Sequence, residues 1–285
     1  MTSAIAAEPL VVGHAALGEG PRWDHRIGRL VWVDILGRRF HTTDTETGET
    51  TAVAVADDLG AAALLGDDAY LLALGQGFAH LDGSEVGPYT AVFEGTEARM
   101  NDGVVDPAGR FVAGSMAYDM HLGGGSLYSR AVNGEVRVLL DDVTISNGID
   151  WSDDGRIMFY VDSPTGRVDL FDYDAATGAI TNRRPFVTVD GGTPDGICLD
   201  VDGGLWVALW DGSSVVRFDA SGRRTHVVEV GVPQVTACAF GGPNLDRLFI
   251  TTAALNQPEG GLDGSVFVCE PGFTGRPAGV IPEKR

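Results

Sequence analysis

Short apolar runs recur along the chain, and each of them follows a polar turn. Six runs succeed one another at intervals of 40, 41, 46, 48 and 43 residues. They begin at Leu30 (LVWVDI), Tyr70 (YLLALG), Phe111 (FVAGSM), Ile157 (IMFYVDS), Leu205 (LWVALW) and Leu248 (LFITTA). Runs of this length, bounded by turn residues and without helical periodicity, are typical of β-strands. The pattern predicts an all-β chain of six repeated units.

A further strand and a polar turn follow most of the runs, as in FHTTDTETGE, VDLFDYDAATGA and VVRFDASGR. Each unit is therefore expected to be an antiparallel sheet of about four strands, and six such sheets packed radially make a six-bladed β-propeller. A β-sandwich or a barrel is the alternative, but neither accounts for six repeats of this period. We predict one propeller domain over residues 1–285.

Four side chains that carry oxygen share one position in the repeat. Each precedes its apolar run by 10 or 11 residues, and a glycine follows it within two positions. They are Glu19, Asn101, Asn147 and Asp195. The same step reaches Gly60 and Cys238 in the other two units. Equivalent positions on the innermost strands of a propeller face one central channel, so the four side chains are predicted to meet there.

Each Asn-Gly or Asp-Gly pair taken alone is typical of a turn, and only the shared register favours the channel. The segments DPAGR, DDGR and DVDGG instead recur between strands, which predicts hairpin turns. DVDGG resembles part of a calcium loop, but the complete EF-hand pattern with its terminal Glu is absent from the sequence. Asp200 and Asp202 are therefore assigned to a turn, and Asp195 to the channel.

Two of the channel side chains, Glu19 and Asp195, are carboxylates, and Asn147 lies between them in the repeat order. Two carboxylates crowded on one axis repel each other unless a cation lies between them. Oxygen ligands favour Ca²⁺, Mg²⁺ or Mn²⁺, and Zn²⁺ or Fe²⁺ bind with less selectivity. The three residues predict one divalent metal with open coordination positions for water or substrate.

The composition excludes several classes of partner. The chain has 20 Lys and Arg against 40 Asp and Glu, a net charge of -20, which disfavours nucleic acid and anionic membrane surfaces. Its three cysteines are far apart without a Cys-x-x-Cys motif, and this odd number indicates a reducing compartment. The N-terminal MTSAIAAEPLVVG has no signal-peptide pattern, and no segment is apolar for long enough to span a bilayer. We predict a cytoplasmic protein; its oligomeric state is left open.

Several strings together resemble the regucalcin/gluconolactonase family of six-bladed propellers, from about Leu17 to Gly272. They are LGEGPRWD, RMNDGVVDPAGRFVAGSM, ISNGIDWSDDGRIMFYVDSPTGRVDLFDYD, TPDGICLDVDGGLWVALWDGSSVVRFDASG and VTACAFGGPNLDRLFITTA. The resemblance implies a divalent metal held by Glu19, Asn147 and Asp195, in agreement with the register. It also implies three substrate contacts, Arg99, Asn101 and Asp119. The sequence departs from the family at Asp119, which replaces a longer Glu, and in the YDMHLGGG loop around it. His121 of this loop is expected to be solvated and is not assigned to the site.

The activity that the resemblance implies is hydrolysis of sugar lactones, aldonolactones such as glucono- or xylonolactone, to aldonic acids. Asp195 is then the expected general base, with a hydroxide on the metal as the alternative, because a carboxylate that binds a cation is a weaker base. Two other classes stay open: a phosphotriester or other ester hydrolase on the same metal centre, and a metal-binding propeller without enzymatic activity. The hydrogen-bonding set of Arg99, Asn101 and Asp119 favours a hydroxylated lactone.

Overall fold

The computed structural model describes residues 3–13, 15–258 and 260–283. These residues form twenty-six β-strands and one short 3₁₀ helix, Ser163–Thr165. The strands are β1 Ser3–Ala6, β2 Glu8–Val11, β3 Gly18–Asp24, β4 Arg29–Asp34, β5 Arg39–Thr43, β6 Thr50–Ala54, β7 Leu59–Leu65, β8 Ala69–Leu74, β9 Gly77–Asp82, β10 Glu85–Ala91, β11 Ala98–Val105, β12 Phe111–Ala117, β13 Gly125–Arg130, β14 Val136–Val143, β15 Ser146–Trp151, β16 Ile157–Asp162, β17 Arg167–Asp174, β18 Ala179–Thr188, β19 Thr193–Leu199, β20 Leu205–Trp210, β21 Ser214–Phe218, β22 Arg224–Glu229, β23 Val235–Gly241, β24 Arg247–Thr252, β25 Val266–Cys269 and β26 Val280–Ile281. No helix in this part of the chain is long and apolar enough to cross a membrane.

The strands form six sheets, each with four consecutive antiparallel strands or their equivalent. Blades one to five are β3–β6, β7–β10, β11–β14, β15–β18 and β19–β22. Blade six combines β23, β24 and β25 with β2 from the start of the chain, so this pairing joins the two ends of the propeller. β1 extends blade five in parallel with β22, and β26 lies in parallel beside β7 of blade two. The predicted six-bladed β-propeller is confirmed.

The six apolar runs found in the sequence are the second strands of the blades, β4, β8, β12, β16, β20 and β24. Their side chains contribute to six clusters of buried apolar residues, and each cluster lies between two neighbouring blades. Trp206 of blade five, for example, packs edge-on against Phe240 of blade six, with 5.7 Å between the ring centroids. Burial on both sheet faces explains why these strands are continuously apolar rather than alternating.

The turn assignment of the Asp-rich segments is confirmed at Asp200. Its backbone N–H donates to the carbonyl of Gly204 across the hairpin between β19 and β20. Its carboxylate accepts hydrogen bonds from the indole of Trp206 at 2.9 Å and from Nε of Arg217 at 2.7 Å. Because these donors lie in the folded core of the blade, Asp200 is a structural residue of the hairpin.

The first strands of the blades form the inner ring. β3, β7, β11, β15, β19 and β23 contact one another in this order, and β23 contacts β3. In each of these blades, the pairing between the first and second strands is interrupted at one point. Four of the ring residues fall within the interruption of their own strand: Gly60, Asn101, Asn147 and Asp195. Glu19 is the last paired residue before the interruption in β3. An extra residue bends a strand and re-aims its side chain, which suits a position that faces a channel.

The sixth ring position was predicted wrongly. In blade six, Val235 pairs with Thr252 and Ala237 pairs with Thr251, so the interruption falls on Thr236 rather than on Cys238. The reason is that β23 continues to Gly241, five residues past Thr236, and that β24 begins at Arg247, one residue before the apolar run, which places Thr236 twelve residues before Leu248 instead of ten. Thr236 donates to the carbonyl of Gly18 at 2.5 Å, so its hydroxyl ties blade six to blade one.

Candidate metal centre

The structure buries the four predicted channel side chains at the same level of the inner ring. Glu19, Asn101 and Asn147 are each 5% exposed, and Asp195 is 6% exposed. They come from blades one, three, four and five. Polar groups removed from water at this depth need hydrogen bonds or a bound ion, so the partners of each side chain define what the site can do.

The glycines that follow Asn147 and Asp195 are required by the close packing of neighbouring first strands. A Cβ atom at Gly148 would lie 2.6 Å from the carbonyl oxygen of Asp195, and one at Gly196 would lie 2.5 Å from the Cβ of Ala237. Only glycine fits such an approach of two backbones. The Asn-Gly and Asp-Gly pairs are therefore features of the inner ring and do not form turns.

Two acidic residues at the ends of second strands fix the entry to the first strands of their blades. Asp34 accepts hydrogen bonds at 3.0 and 3.1 Å from the N–H groups of the two residues before β3. Asp162 binds the corresponding two N–H groups before β15, with shortest distances of 2.9 and 3.2 Å. Each carboxylate accepts hydrogen bonds from two consecutive N–H groups, and so positions Glu19 or Asn147, two residues after the second of them.

A chain of hydrogen bonds orients the amide groups of the site. Arg99 donates from Nη1 to Oδ1 of Asn101 at 2.6 Å. Asn101 donates from Nδ2 to Oδ1 of Asn147 at 2.7 Å and to the carbonyl of Ser146 at 2.8 Å. Asn147 in turn donates from Nδ2 to Oγ of Ser163 at 2.8 Å. These contacts fix Oδ1 of Asn147 as an acceptor, and it keeps a second lone pair.

The two carboxylates lack such partners. Oδ1 of Asp195 is buried and has no hydrogen-bond partner among the described residues. Glu19 accepts one hydrogen bond at Oε2, from the N–H of Gly20 at 2.9 Å. Burial raises the pKa of Glu19 to about 8, with a further contribution from Asp102. Burial also raises the pKa of Asp195 well above its ordinary range, and Glu19 is the next largest cause. Acids this poorly solvated hold a proton or bind a cation.

Asp102 is a member of this acidic group that the sequence reasoning missed. Its side chain is 11% exposed, burial raises its pKa, and its charge raises the pKa of both Glu19 and Asp195. Arg22, whose Nη2 lies 4.0 Å from Oδ1 of Asp102, opposes the shift. The sequence signal for Asp102 was that one extra residue separates Asn101 from its glycine, whereas Asn147 and Asp195 are followed directly by glycine.

The predicted substrate residues lie in two different environments. Arg99 is 5% exposed and contacts the channel cluster through Asn101. Burial lowers its pKa, and the charges of Asp58, Tyr118, Glu19 and Asp195 oppose this effect. Asp119 lies on a turn after β12 with a side chain that is 74% exposed, and it binds Nδ1 of His121 at 2.5 Å. The structure thus joins Arg99 and Asn101 to the buried site, while the hydrogen bonds of Asp119 go to its own loop.

The donor set of the candidate centre fits a hard cation. Across the described residues, no three His, Cys, Asp or Glu side chains are arranged to hold a metal ion, so a metal at this place would be bound by two carboxylates and one amide. Glu19, Asn147 and Asp195 provide oxygen atoms only, and Asp195 Oδ1 has no other partner in this part of the chain. Oxygen donors and uncompensated negative charge are what Ca²⁺ and related ions prefer.

Fold and site together define a six-bladed propeller with a buried acidic cluster on the inner ring. The family described as "SMP-30/Gluconolactonase/LRE-like region" matches residues 17–254. The chain is 40% identical over 249 residues to regucalcin of Gallus gallus, which covers 84% of this chain and 83% of that protein. The chain therefore belongs to the SMP-30/gluconolactonase/LRE-like family, and this membership supports a lactonase-type hydrolase.

Two solved structures extend the similarity to the whole fold. A regucalcin from Agrobacterium tumefaciens, described as a calcium-binding protein, has a TM-score of 0.90 and 29% identity, with 99% of each chain covered. A luciferin-regenerating enzyme has a TM-score of 0.86 and 31% identity, with 95% of this chain and 97% of that chain covered. The agreement over nearly full length shows that the propeller of this chain is that of its family.

Proposed function

We propose that this chain is a divalent-metal-dependent hydrolase of the cytoplasm that opens sugar lactones, such as glucono- or xylonolactone, to aldonic acids. The observation that carries the proposal is the buried Oδ1 of Asp195, which has no partner among the described residues and lies in the electrostatic field of Glu19. Its partners in this function are one metal ion and a small neutral lactone, without nucleic acid or membrane.

Glu19, Asn147 and Asp195 are the residues that would hold the metal. Ca²⁺ is our first choice, in line with the oxygen-only donors and with the calcium-binding relative, and Zn²⁺, Mn²⁺, Mg²⁺ and Fe²⁺ are the others to test. A divalent cation held by these residues would stabilise the negative charge that develops on the lactone carbonyl oxygen, and it would favour the deprotonated form of both carboxylates.

Side chains of the protein transfer the proton and bind the substrate. Asp195 accepts the proton of the water that attacks the carbonyl carbon, and returns it to the ring oxygen when the C–O bond breaks. Arg99 directs its guanidinium N–H groups at the lactone, held in place by its bond to Asn101. Asn101 uses both amide hydrogens within the protein, so it can act on the substrate only as an acceptor.

The proposal is tested by proton release from a panel of lactones, with protein stripped of metal and then reloaded with single ions. We expect hydrolysis of hydroxylated aldonolactones, loss of activity on chelation, and recovery with at least one divalent ion. A phosphotriester in the same panel distinguishes the other hydrolase class. Full activity in protein shown to be metal-free by elemental analysis would contradict the mechanism, and absence of hydrolysis with metal bound would favour a propeller that only binds metal.

A further inference from the structure

A cavity of about 320 Å³ lies at the opposite ends of the inner strands from the carboxylate cluster. The last residues of the first strands line it, together with the C-terminal segment 276–280. Two of the three cysteines of the chain, Cys198 on β19 and Cys238 on β23, are among the lining residues. They are 40 positions apart in sequence and belong to neighbouring blades.

The two thiols face each other across the interface between blades five and six. Their Sγ atoms are 3.7 Å apart. A disulfide needs an S–S distance of about 2.05 Å, so the two sulfur atoms have less than 2 Å to move. β19 and β23 are already in contact, which leaves most of this movement to side-chain rotation. Cys198 is half-buried and Cys238 is buried, so an oxidant that enters the cavity meets Cys198 first.

We propose that Cys198 and Cys238 are a reversible disulfide site that links blades five and six. The oxidant is a small disulfide, and the reaction is thiol–disulfide exchange. The Cys198 thiolate attacks the S–S bond of the oxidant, which forms a mixed disulfide and releases one thiol. Cys238 then attacks Sγ of Cys198, which forms the Cys198–Cys238 bond and releases the second thiol. The two protons lost by the cysteines end on the two released thiols, and the two electrons reduce the oxidant.

A disulfide at this place suits a chain from a reducing compartment, where such bonds are transient and respond to redox conditions. The third cysteine provides the contrast. Cys269 is buried in the same apolar cluster, and burial raises its pKa to about 12, so it is a packing residue. Burial also raises the pKa of Cys198 well above its usual range, with Cys238 the next cause. The exchange should therefore be slow at neutral pH and about tenfold faster per pH unit.

The test uses the full chain with bis(2-hydroxyethyl) disulfide at about pH 9, in a chelating buffer. Remaining thiols are alkylated after unfolding and counted by intact mass, and the linked peptides are identified by mass spectrometry. Wild-type protein should fall from three free thiols to one, since two of its three cysteines pair. Reduction with excess thiol should restore all three. A urea-unfolded sample, oxidised in parallel, shows that the oxidant is active.

Three variants separate this pair from other reactions. Cys198→Ala should keep both remaining thiols, and Cys238→Ala should form no internal disulfide and change only by a mixed disulfide with the oxidant on Cys198. Cys269→Ala, the matched control, should lose both of its thiols. The proposal is overturned if folded wild-type protein keeps three thiols while the unfolded sample is oxidised. It is also overturned if the linked peptides contain Cys269 or come from two different chains, or if retained oxidant on Cys198 accounts for the whole change in mass.

Discussion

Asn101 donates a hydrogen bond from Nδ2 to Oδ1 of Asn147, with 2.7 Å between the two atoms. This contact joins the inner strands of blades three and four at the level of the buried carboxylates. Asn101, a predicted substrate residue, is thus hydrogen-bonded to Asn147, a predicted metal ligand. The orientation of the ligand amide therefore depends on a side chain from another blade.

Removal of this link should cost stability. Asn101→Ala deprives Ser146 O and Asn147 Oδ1 of their donor and Arg99 of an acceptor, so we expect a loss of about 2–4 kcal/mol in the free energy of unfolding. Urea denaturation measures it, with Asp119→Ala as the control, because the loss of that exposed side chain should leave the stability nearly unchanged. Similar stabilities of the two variants would show that the contact contributes nothing.

The proposed base gives the second prediction. Asp195→Asn should keep the fold, because the two side chains are nearly isosteric, and should lower kcat for a lactone by roughly 10² or more. Asp202→Asn is the matched control, since the same substitution on an exposed turn of the next hairpin should leave kcat unchanged. A near-normal kcat of Asp195→Asn with metal still bound would exclude Asp195 as the base.

Substrate recognition separates Arg99 from Asp119. The buried Arg99 should matter more, so Arg99→Gln is expected to lower kcat/KM for hydroxylated lactones by about 100-fold, provided that metal content is unchanged. Asp119 is solvent-exposed, and solvent screening weakens its interactions, so Asp119→Ala should lower kcat/KM for hydroxylated lactones by only about 10-fold. An unsubstituted lactone should be almost unaffected by Asp119→Ala. An equal decrease in kcat/KM for both lactones would show that Asp119 does not recognise the hydroxyl groups of the substrate.

Stability should depend on pH through the acidic cluster. The folded-state pKa of Glu19, about 8, lies above its ordinary value of 4.5, so folding favours the protonated acid. This contribution is fully present below about pH 4.5 and is lost as the pH rises through about 8; Asp195 acts in the same direction.

In chelating buffer, the free energy of unfolding should therefore fall between about pH 5 and pH 9, by an amount on the order of a few kcal/mol. Urea denaturation across this range provides the measurement. Glu19→Gln should flatten the dependence, because the amide does not titrate. A stability that rises with pH, or the same slope in the variant, would show that Glu19 is not protonated in the folded protein without metal.

The sequence was sufficient for the fold and for most of the candidate site, because in a propeller the phase of a residue in the repeat gives its place in the blade. This phase alone assigns Glu19, Asn147 and Asp195 to the inner ring. Where the local chain length varies, the phase was misleading. In blade six, one more strand residue after the interruption and the start of β24 at Arg247 moved the ring position to Thr236, and the extra residue after Asn101 hid Asp102.

Two further features had no signal in the repeat. Asp119 lies on a loop after β12, and the exposure of a loop side chain depends on local turn geometry rather than on the period of the blades. The approach of Cys198 to Cys238 depends on how two blades pack, and a distance of 40 positions in sequence gives no indication of it. Periodicity reports which strand a residue belongs to, whereas contacts between blades require the packed structure.

The central claim is that the buried carboxylates of Glu19 and Asp195 hold a divalent cation. Isothermal titration calorimetry measures the binding of Ca²⁺ to metal-stripped protein at about pH 7. Repeating the titration in buffers of different ionisation enthalpy counts the protons released on binding. Because both acids have raised pKa values, we expect release of about one to two protons per cation, and roughly one fewer in Glu19→Gln. The account would be contradicted if neither Ca²⁺ nor any of the other divalent ions binds. It would also be contradicted if binding releases no protons and Glu19→Gln does not change the binding.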